Sequence, residues 1–556
     1  MKLDISSDWE QYKEIYAKAK VFINEKFFNS YEFAKYISKI DFDNLEAELS
    51  KVNGFFSFIK KEKNKCIIVS DRVRSIPLFY TKDSSVYVTD NLYDTELKKT
   101  YNDVSKLELL LTGCVSGSDT LYEGINQTQA GEIITIQNDK IHSKFYFKLE
   151  HDFNINEGLS IDDLIDSHLD ILKVVFQRLI RYADGRTIVI PLSGGYDSRL
   201  TALMMKKLSY DNVITFTFGR EKNGESILSK QVANDLEYPW IFIPYTNKYT
   251  NEVYNTRDHE EYESLPDNLF NICQDRDWPA VWELKKKGLV PKDSVFVPGY
   301  SGDFLAAFMR PQCWETNGEF NENIIADAII DKHYIMWRRK KDFVKKNIKL
   351  YYKLITQIKQ NRTSTFYEAI NNLKYWEFLQ IQVKYIINAV KVYEFWGYDW
   401  WMPLWDKEYM DFWLKIPYKY LEDRRLYNQT VAETYSEISG RSLEEAFIRA
   451  TGNRVHNPIK ERSHLKQFIK GTPFEKIIRQ ALSHVHKSQK TIEKDELRRQ
   501  DWEQGYGRVS KEVYEQLYPY IVGISSCKTL EKLKYIRYTD QAVDIKVINM
   551  LEEMKG

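Results

Sequence analysis

The sequence predicts two fold classes in one chain: an antiparallel, α+β first part and an α/β second part built around a parallel sheet. Three observations carry this. Residues 1 to about 150 are mostly short apolar runs with period-two alternation, separated by Gly, Asn, Asp or Ser turns. Beyond them, strand-like and helix-like segments alternate, the pattern of a parallel sheet covered by helices. A chain of 556 residues is also too long for one hydrophobic core.

In chain order, NGFFSFIKK, KCIIVSDRV, LFYTKDSSVYVTD and GEIITIQNDKIHSKFYF read as strands with turn residues between them. The polar stretch HDFNINEGLSIDD ends this part. The boundary is therefore expected near residues 150 to 160, giving domains 1–155 and 156–556. IDDLIDSHLDILKVVFQRLIRYA then reads as a long amphipathic helix, because its apolar residues recur at helical spacing. Strand TIVIPL, the turn SGGYDS and a helix through LTALMMKKL follow, then strand NVITFTFG, helix ESILSKQVANDL and strand PWIFIPY. A fourth strand, SVFVPGY, ends in a second glycine turn, GYSGD, and from about residue 320 the pattern is mostly helical.

Composition narrows the function classes. The 80 basic and 80 acidic side chains balance, so nothing global pulls the chain toward nucleic acid or an anionic membrane. The five cysteines, Cys66, Cys114, Cys273, Cys313 and Cys527, are scattered without a CxxC, which argues against a disulfide framework or a zinc site and fits a reducing cytosol. The nine histidines form no HxxxH pair. The polar start reads as no secretory signal, and the apolar runs are far shorter than a membrane span. A cytoplasmic, soluble protein is expected.

The chemistry concentrates in SGGYDS, residues 193–198. A strand, a glycine turn and a helix start together form an anion site, because first-turn N–H groups point outward and glycine admits close approach. The stretch lacks the GK[ST] ending of a Walker loop, so no lysine reaches the β- and γ-phosphates. That suits an enzyme that cleaves ATP between the α and β phosphates and holds pyrophosphate on Ser193, Gly194, Gly195 and Ser198, with Asp197 binding Mg²⁺. The bland alternative is a glycine turn with an Asp or Ser helix cap. In a parallel sheet the turn VFVPGYSGD, residues 295–303, would lie beside the first, making Asp303 a second Mg²⁺ carboxylate and pointing Tyr300 into the same crevice.

With TFTFG (215–219), GESILSKQVA (224–233) and MPLWD (402–406), these motifs come in the order of the asparagine synthetase family, which the chain resembles. NGFFSFI (53–59), SDRVRSIPLFY (70–80) and TLYEGINQTQAGEIITI (120–136) likewise resemble that family's glutaminase domain. The resemblance implies an Ntn-hydrolase-like antiparallel sandwich followed by an ATP pyrophosphatase domain of the PP-loop type with a helical extension. It also places Phe218, Gly219, Pro298 and Gly299 at the nucleotide and allows for a homodimer. A working glutaminase of this class presents a cysteine behind Met1, whose thiol attacks glutamine; here residue 2 is Lys2, so a scaffold without glutaminase activity is expected.

Tyr300 stands where most of the family has a glutamate, as in its β-lactam synthetase and carbapenam synthetase branch. That branch pairs the tyrosine with a glutamate to take a proton from the attacking amine, and Glu377 and Glu394 are the candidate partners here. It also uses a lysine to stabilise developing charge; Lys460 in NPIKERSHLK is the counterpart, and Lys391 resembles another family lysine. The resemblance thus implies an AMP-forming ligase using ATP and Mg²⁺, with a small-molecule or glycan carboxylate and ammonia or an amine as substrates. A uronic acid and free aspartate both stay open. The rivals are a tRNA-modifying relative and a non-catalytic ATP-binding protein. The aromatic run EFWGYDWWMPLWD, residues 394–406, reads as core, or more sharply as a ring-lined pocket. The basic run at 336–346 reads as a solvated helix face.

Overall fold

The computed structural model describes residues 2–447 apart from 63–64, 82–85, 93–96, 98–99, 139, 220, 222–223, 264–269, 272–275, 309, 312, 317 and 335–340. Lys460 and residues 336–340 of the basic run therefore lie outside the described residues, while Lys341–Lys346 is helical.

The first part is layered. A seven-stranded antiparallel sheet runs in the order Lys140–Phe145, Glu132–Gln137, Lys65–Ser70, Asn53–Glu62, Ile15–Ile23 and Glu10–Tyr12, with Lys26–Asn29 also paired to Ile15–Ile23. Strand alternation sorts its side chains. Ile67 and Val69 face the helices Ser30–Ile37 and Leu45–Leu49, while Cys66 and Ile68 face a four-stranded sheet and meet Tyr80 and Val88. Both faces are covered, so the two sheets form the expected sandwich. Cys66 and Cys114 are buried as small hydrophobes, and burial raises their thiols to about 12 and about 11.

The sequence motifs of this half are its framework. Asp71, in SDRVR, is fully buried and accepts from the amides of Phe56 (2.9 Å) and Val73 (2.7 Å), while its carbonyl accepts from Gly131 at 2.7 Å. Gly54 has φ of +116°, and a Cβ there would sit 2.5 Å from the Lys20 carbonyl, so only glycine fits.

The helix Ile161–Ala183 follows, opened by a Ser160–Asp163 capping box and closed by Asp184 in the left-handed region. It leads into a five-stranded parallel sheet in the order Trp240–Pro244, Val213–Gly219, Ile188–Pro191, Val295–Phe296 and Asp399–Trp400. The four strands expected from sequence are present. The fifth comes from the aromatic run, where Trp400, Trp401 and Trp405 are each at most 3% exposed and act as core. Trp401 packs on Phe22, Phe55 and Tyr182, gluing the sandwich to the second half.

Charge also crosses this seam. The hairpin tip Glu25, whose φ of +62° beside Asn24 at +48° makes a tight two-residue turn, reaches Arg178 at 2.5 Å. Buried Arg178 also grips Asp406 and Glu408. Asn53 donates to Glu408 at 2.6 Å and accepts from the Lys407 amide at 3.0 Å.

Candidate active site

The chain leaves the first sheet strand, Ile188–Pro191, toward one side for two strands and then returns to add Val295–Phe296 on the other side. That reversal opens a crevice beyond the carboxyl ends of Ile188–Pro191 and Val295–Phe296, where open α/β sheets bind ligands. Both glycine turns fall there. SGGYDS leads into the helix Tyr196–Lys207, with Gly195 at its N-cap and Asp197 in its first turn.

Within the loop, Ser198 Oγ accepts from the Ser193 amide at 3.0 Å and Ser193 Oγ accepts from the Gly195 amide at 3.1 Å. The Gly194 amide donates to Glu225 Oε2 at 2.5 Å, so a carboxylate already occupies one of the anion-facing N–H groups. Glu225 lies in the quoted GESILSKQVA stretch, but its role was not visible without the fold.

The two turns interlock. A Cβ on Gly299 would meet the Ser198 amide nitrogen at 2.3 Å, and one on Gly302 would meet the Tyr427 hydroxyl at 2.6 Å and Asp197 Oδ1 at 3.1 Å. The glycines of PGYSGD therefore let it pack directly on the loop's helix. The Asp303 amide donates to Asp197 Oδ1 at 3.1 Å, and the Tyr427 hydroxyl donates to the same oxygen at 2.6 Å. Desolvation, together with the facing Asp303 carboxylate, raises the Asp197 carboxyl to about 7. Asp303 itself accepts from Arg424 at 2.8 Å.

Two juxtaposed carboxylates, one of them held uncomfortably charged, suit a divalent cation. Among the described residues no cluster of three or more His, Cys, Asp or Glu is placed to hold a metal. An ion at Asp197 and Asp303 would thus complete its shell with water and phosphate oxygens, the manner of Mg²⁺.

Ser301, with φ of +69°, turns the PGYSGD chain so that Tyr300 and Asp303 line different cavities. The first, of about 340 Å³, is lined by Leu192, Ser193, Phe216, Phe218, Glu225 and Tyr300 among others, beside the loop. Phe218 stacks on Tyr245 with ring centres 5.0 Å apart, Gly219 ends its strand at φ of +129°, and Pro298 is buried leading into Gly299. The second, of about 210 Å³, contains Asp303, Arg424 and Glu377.

Tyr300 is brought to neither expected glutamate. Its hydroxyl donates to Asp277 Oδ2 at 3.3 Å, as does that of Tyr393. Burial and the Asp277 charge push the Tyr300 phenol well above its usual range. Glu377 lies in the second cavity, bonded to Lys332 at 2.5 Å and His333 at 2.8 Å; burial opposes its ionisation, but these partners outweigh it and lower it to about 2. Glu394 pairs with Lys391 at 2.8 Å and accepts from Trp400 Nε1 at 2.7 Å. Its partner Trp400 sits on the last strand, opposite Phe296. Lys391 is thus spoken for, and burial opposing, its charge helps to bring Glu394 to about 2. Asp277 follows a stretch without a motif, so no local signal marked it.

Residues 42–147 match a family model described as a glutamine amidotransferase domain. The chain is 27% identical over 171 residues to the tRNA-specific 2-thiouridylase MnmA of Karelsulcia muelleri, covering 29% of this chain and 42% of that protein. Among solved structures, the NH₃-dependent NAD synthetase from Campylobacter jejuni is similar at 13% identity and a TM-score of 0.18, over 27% of this chain and 61% of that one. The glutamine phosphoribosylpyrophosphate amidotransferase of B. subtilis is similar at 12% identity and 0.16, over 52% and 57%. The chain spans less than two thirds of the length of each of these relatives. No helix among the described residues is long and apolar enough to cross a membrane.

Proposed function

We propose that this chain is an ATP-dependent ligase that joins ammonia or an amine to a carboxylic acid, releasing pyrophosphate and AMP. The interlocked turns at the sheet reversal carry this reading: SGGYDS offers amides and hydroxyls to phosphate, and Asp197 meets Asp303 across Gly299 and Gly302. A substrate carboxylate oxygen attacks the α-phosphorus of ATP, and the bond to the β-phosphate oxygen breaks. Ser193, Gly194, Gly195 and Ser198 hold the departing pyrophosphate, with Glu225 yielding the Gly194 amide to it. Asp197 and Asp303 would hold Mg²⁺, which neutralises phosphate charge when bound. The amine then attacks the acyl carbon, loses a proton and expels AMP.

Tyr300 and Asp277 form the proton-accepting pair in this reading. A phenol raised by burial is a poor base alone, but its proton can pass to the carboxylate it already faces. Lys460 is carried as the charge-stabilising lysine on the resemblance alone. The sandwich serves as a scaffold, since Cys66 and Cys114, its cysteines among the described residues, are buried with raised thiols. The substrates reach the crevice as small molecules in a cytoplasmic protein.

The full-length protein, incubated with ATP, Mg²⁺ and a panel of acids plus ammonia or amines, tests this through AMP and pyrophosphate measured together. Acid-dependent AMP that disappears in Asp197→Ala supports the ligase. ATP binding without AMP from any pairing rejects it in favour of a non-catalytic ATP-binding protein. The similarity to a tRNA-specific 2-thiouridylase favours one other reading, adenylation of a tRNA base. AMP release that needs tRNA rather than a free acid selects that reading instead.

A further inference from the structure

The second cavity is separate from the nucleotide side of the PGYSGD turn, yet Asp303 is shared between it and the Asp197 site. A molecule lodged there lies next to whatever the two aspartates hold. Its apolar lining is Phe304, Ala307, Phe308, Ile370, Leu373 and Ile381, and seven polar or charged residues complete it.

Most polar groups on this lining are already engaged. Glu377 is neutralised by Lys332 and His333. Lys374 caps the carbonyls of Phe304, Leu305 and Ala307 at 2.7, 3.1 and 2.5 Å. Three groups keep donors for a ligand, the first being Lys332, whose ammonium meets Glu377 with one contact. Arg424 uses one guanidinium nitrogen on Asp303, and Gln382, whose oxygen accepts from Ser301 at 2.6 Å, has no acceptor for its N–H₂ among the described residues. Ile381 and Gln382 enter the cavity from a π-helical stretch, Phe378–Ile386, a widened turn that recurs at functional sites.

We infer that this cavity receives the acid to be activated, and that the acid is a small monocarboxylate with an apolar aryl or branched-alkyl body. The inference rests on the ligase reading and deepens it. Arg424 and Gln382 would take the carboxylate beside Asp303, and the six apolar side chains would take the body. A volume of about 210 Å³ equals about seven waters at roughly 30 Å³ each, the scale of a single amino acid rather than a saccharide chain. The hydroxyls of a uronic acid would be stripped of water against the six apolar side chains, and the second carboxylate of aspartate would have to compete with Glu377 for Lys332 and His333.

Calorimetry on the full-length protein with MgATP, and separately with phenylacetate, 4-methylpentanoate, aspartate and glucuronate, tests the inference beside acid-dependent ATP–pyrophosphate exchange. The apolar acids are expected to bind, and to drive exchange, at least tenfold better than the other two. Ala307→Phe, at a partly exposed wall position, should weaken their binding tenfold or more and leave MgATP binding unchanged. Arg424→Gln should weaken it as well, with circular dichroism confirming the fold of both. Equal or better binding of aspartate or glucuronate, or no loss in Ala307→Phe, overturns the inference. Apolar acids that bind without any exchange leave the cavity assignment standing and sink the ligase reading. Failure of every acid to bind sinks the inference, whatever MgATP does.

Discussion

The backbone amide of Asp303 donates to both carboxylate oxygens of Asp197, at 3.1 and 3.3 Å, across 106 residues of sequence. One acidic side chain is thus aimed by the main chain of the other. The Tyr427 hydroxyl completes the clamp.

On the proposed ligase reading, Tyr427→Phe should weaken Mg²⁺ binding at Asp197 without abolishing it. A hydrogen bond to a charged group is worth about 1.5–3 kcal/mol, so the Mg²⁺ concentration for half-maximal pyrophosphate formation should rise by roughly 10- to 100-fold. Activity at saturating Mg²⁺ should be largely kept. A Mg²⁺ titration of both proteins checks this, and an unchanged midpoint refutes it.

Gly299→Ala should separate the two turns. Its methyl would need the space of the Ser198 amide nitrogen, 2.3 Å away, where backbone rather than a flexible side chain must yield. Loss of ATP binding in a protein with unchanged circular dichroism is expected. Full ATP affinity would mean the turns do not need this contact.

Arg178→Met alone should cost about 3–5 kcal/mol, because it leaves Asp406 buried and uncompensated. Adding Asp406→Leu should restore most of that loss. Urea unfolding of the single and double variants measures both steps, and additive losses would contradict the pairing.

Lys384 gives a pH signature. Its ammonium is buried against the carbonyls of Val115 (2.8 Å) and Gly117 (2.6 Å), and desolvation, with the Arg74 charge, pushes it down to about 7 from an ordinary 10.5. Between those values the unfolded chain binds the extra proton, so stability should rise with pH from 7 toward 10.5, by up to about 1.4 kcal/mol per unit from this group. Lys384→Met should flatten that rise. Urea midpoints at pH 7.5 and 9.5 for both proteins decide it.

The sequence made the crevice legible because its parts are local. Ile188–Pro191 and Val295–Phe296 are short apolar runs, each followed by a glycine turn, and the helix Ile161–Ala183 shows its periodicity within its own span. What stayed hidden depends on contacts between distant segments. Asp399–Trp400 is a strand only because Val295–Phe296 lies beside it, and nothing in a run of aromatics marks a two-residue edge. Asp277, Arg424 and Tyr427 join the site from 23 to 230 residues away from their partners. Glu377 and Glu394 both sit on the expected helical stretch, and their pairing with Lys332 and Lys391, rather than with the Tyr300 hydroxyl, depends on the fold.

The grip of Arg178 on Glu25, Asp406 and Glu408, with Asn53 reaching Glu408, also governs how this protein can be taken apart. The amino-terminal half supplies part of the charge balance and, through Phe22 and Phe55, part of the packing on Trp401. Cutting the chain between the two halves would strip both from the half that holds the crevice. The sandwich is thereby a folding partner carried in the same polypeptide, whatever chemistry it performs.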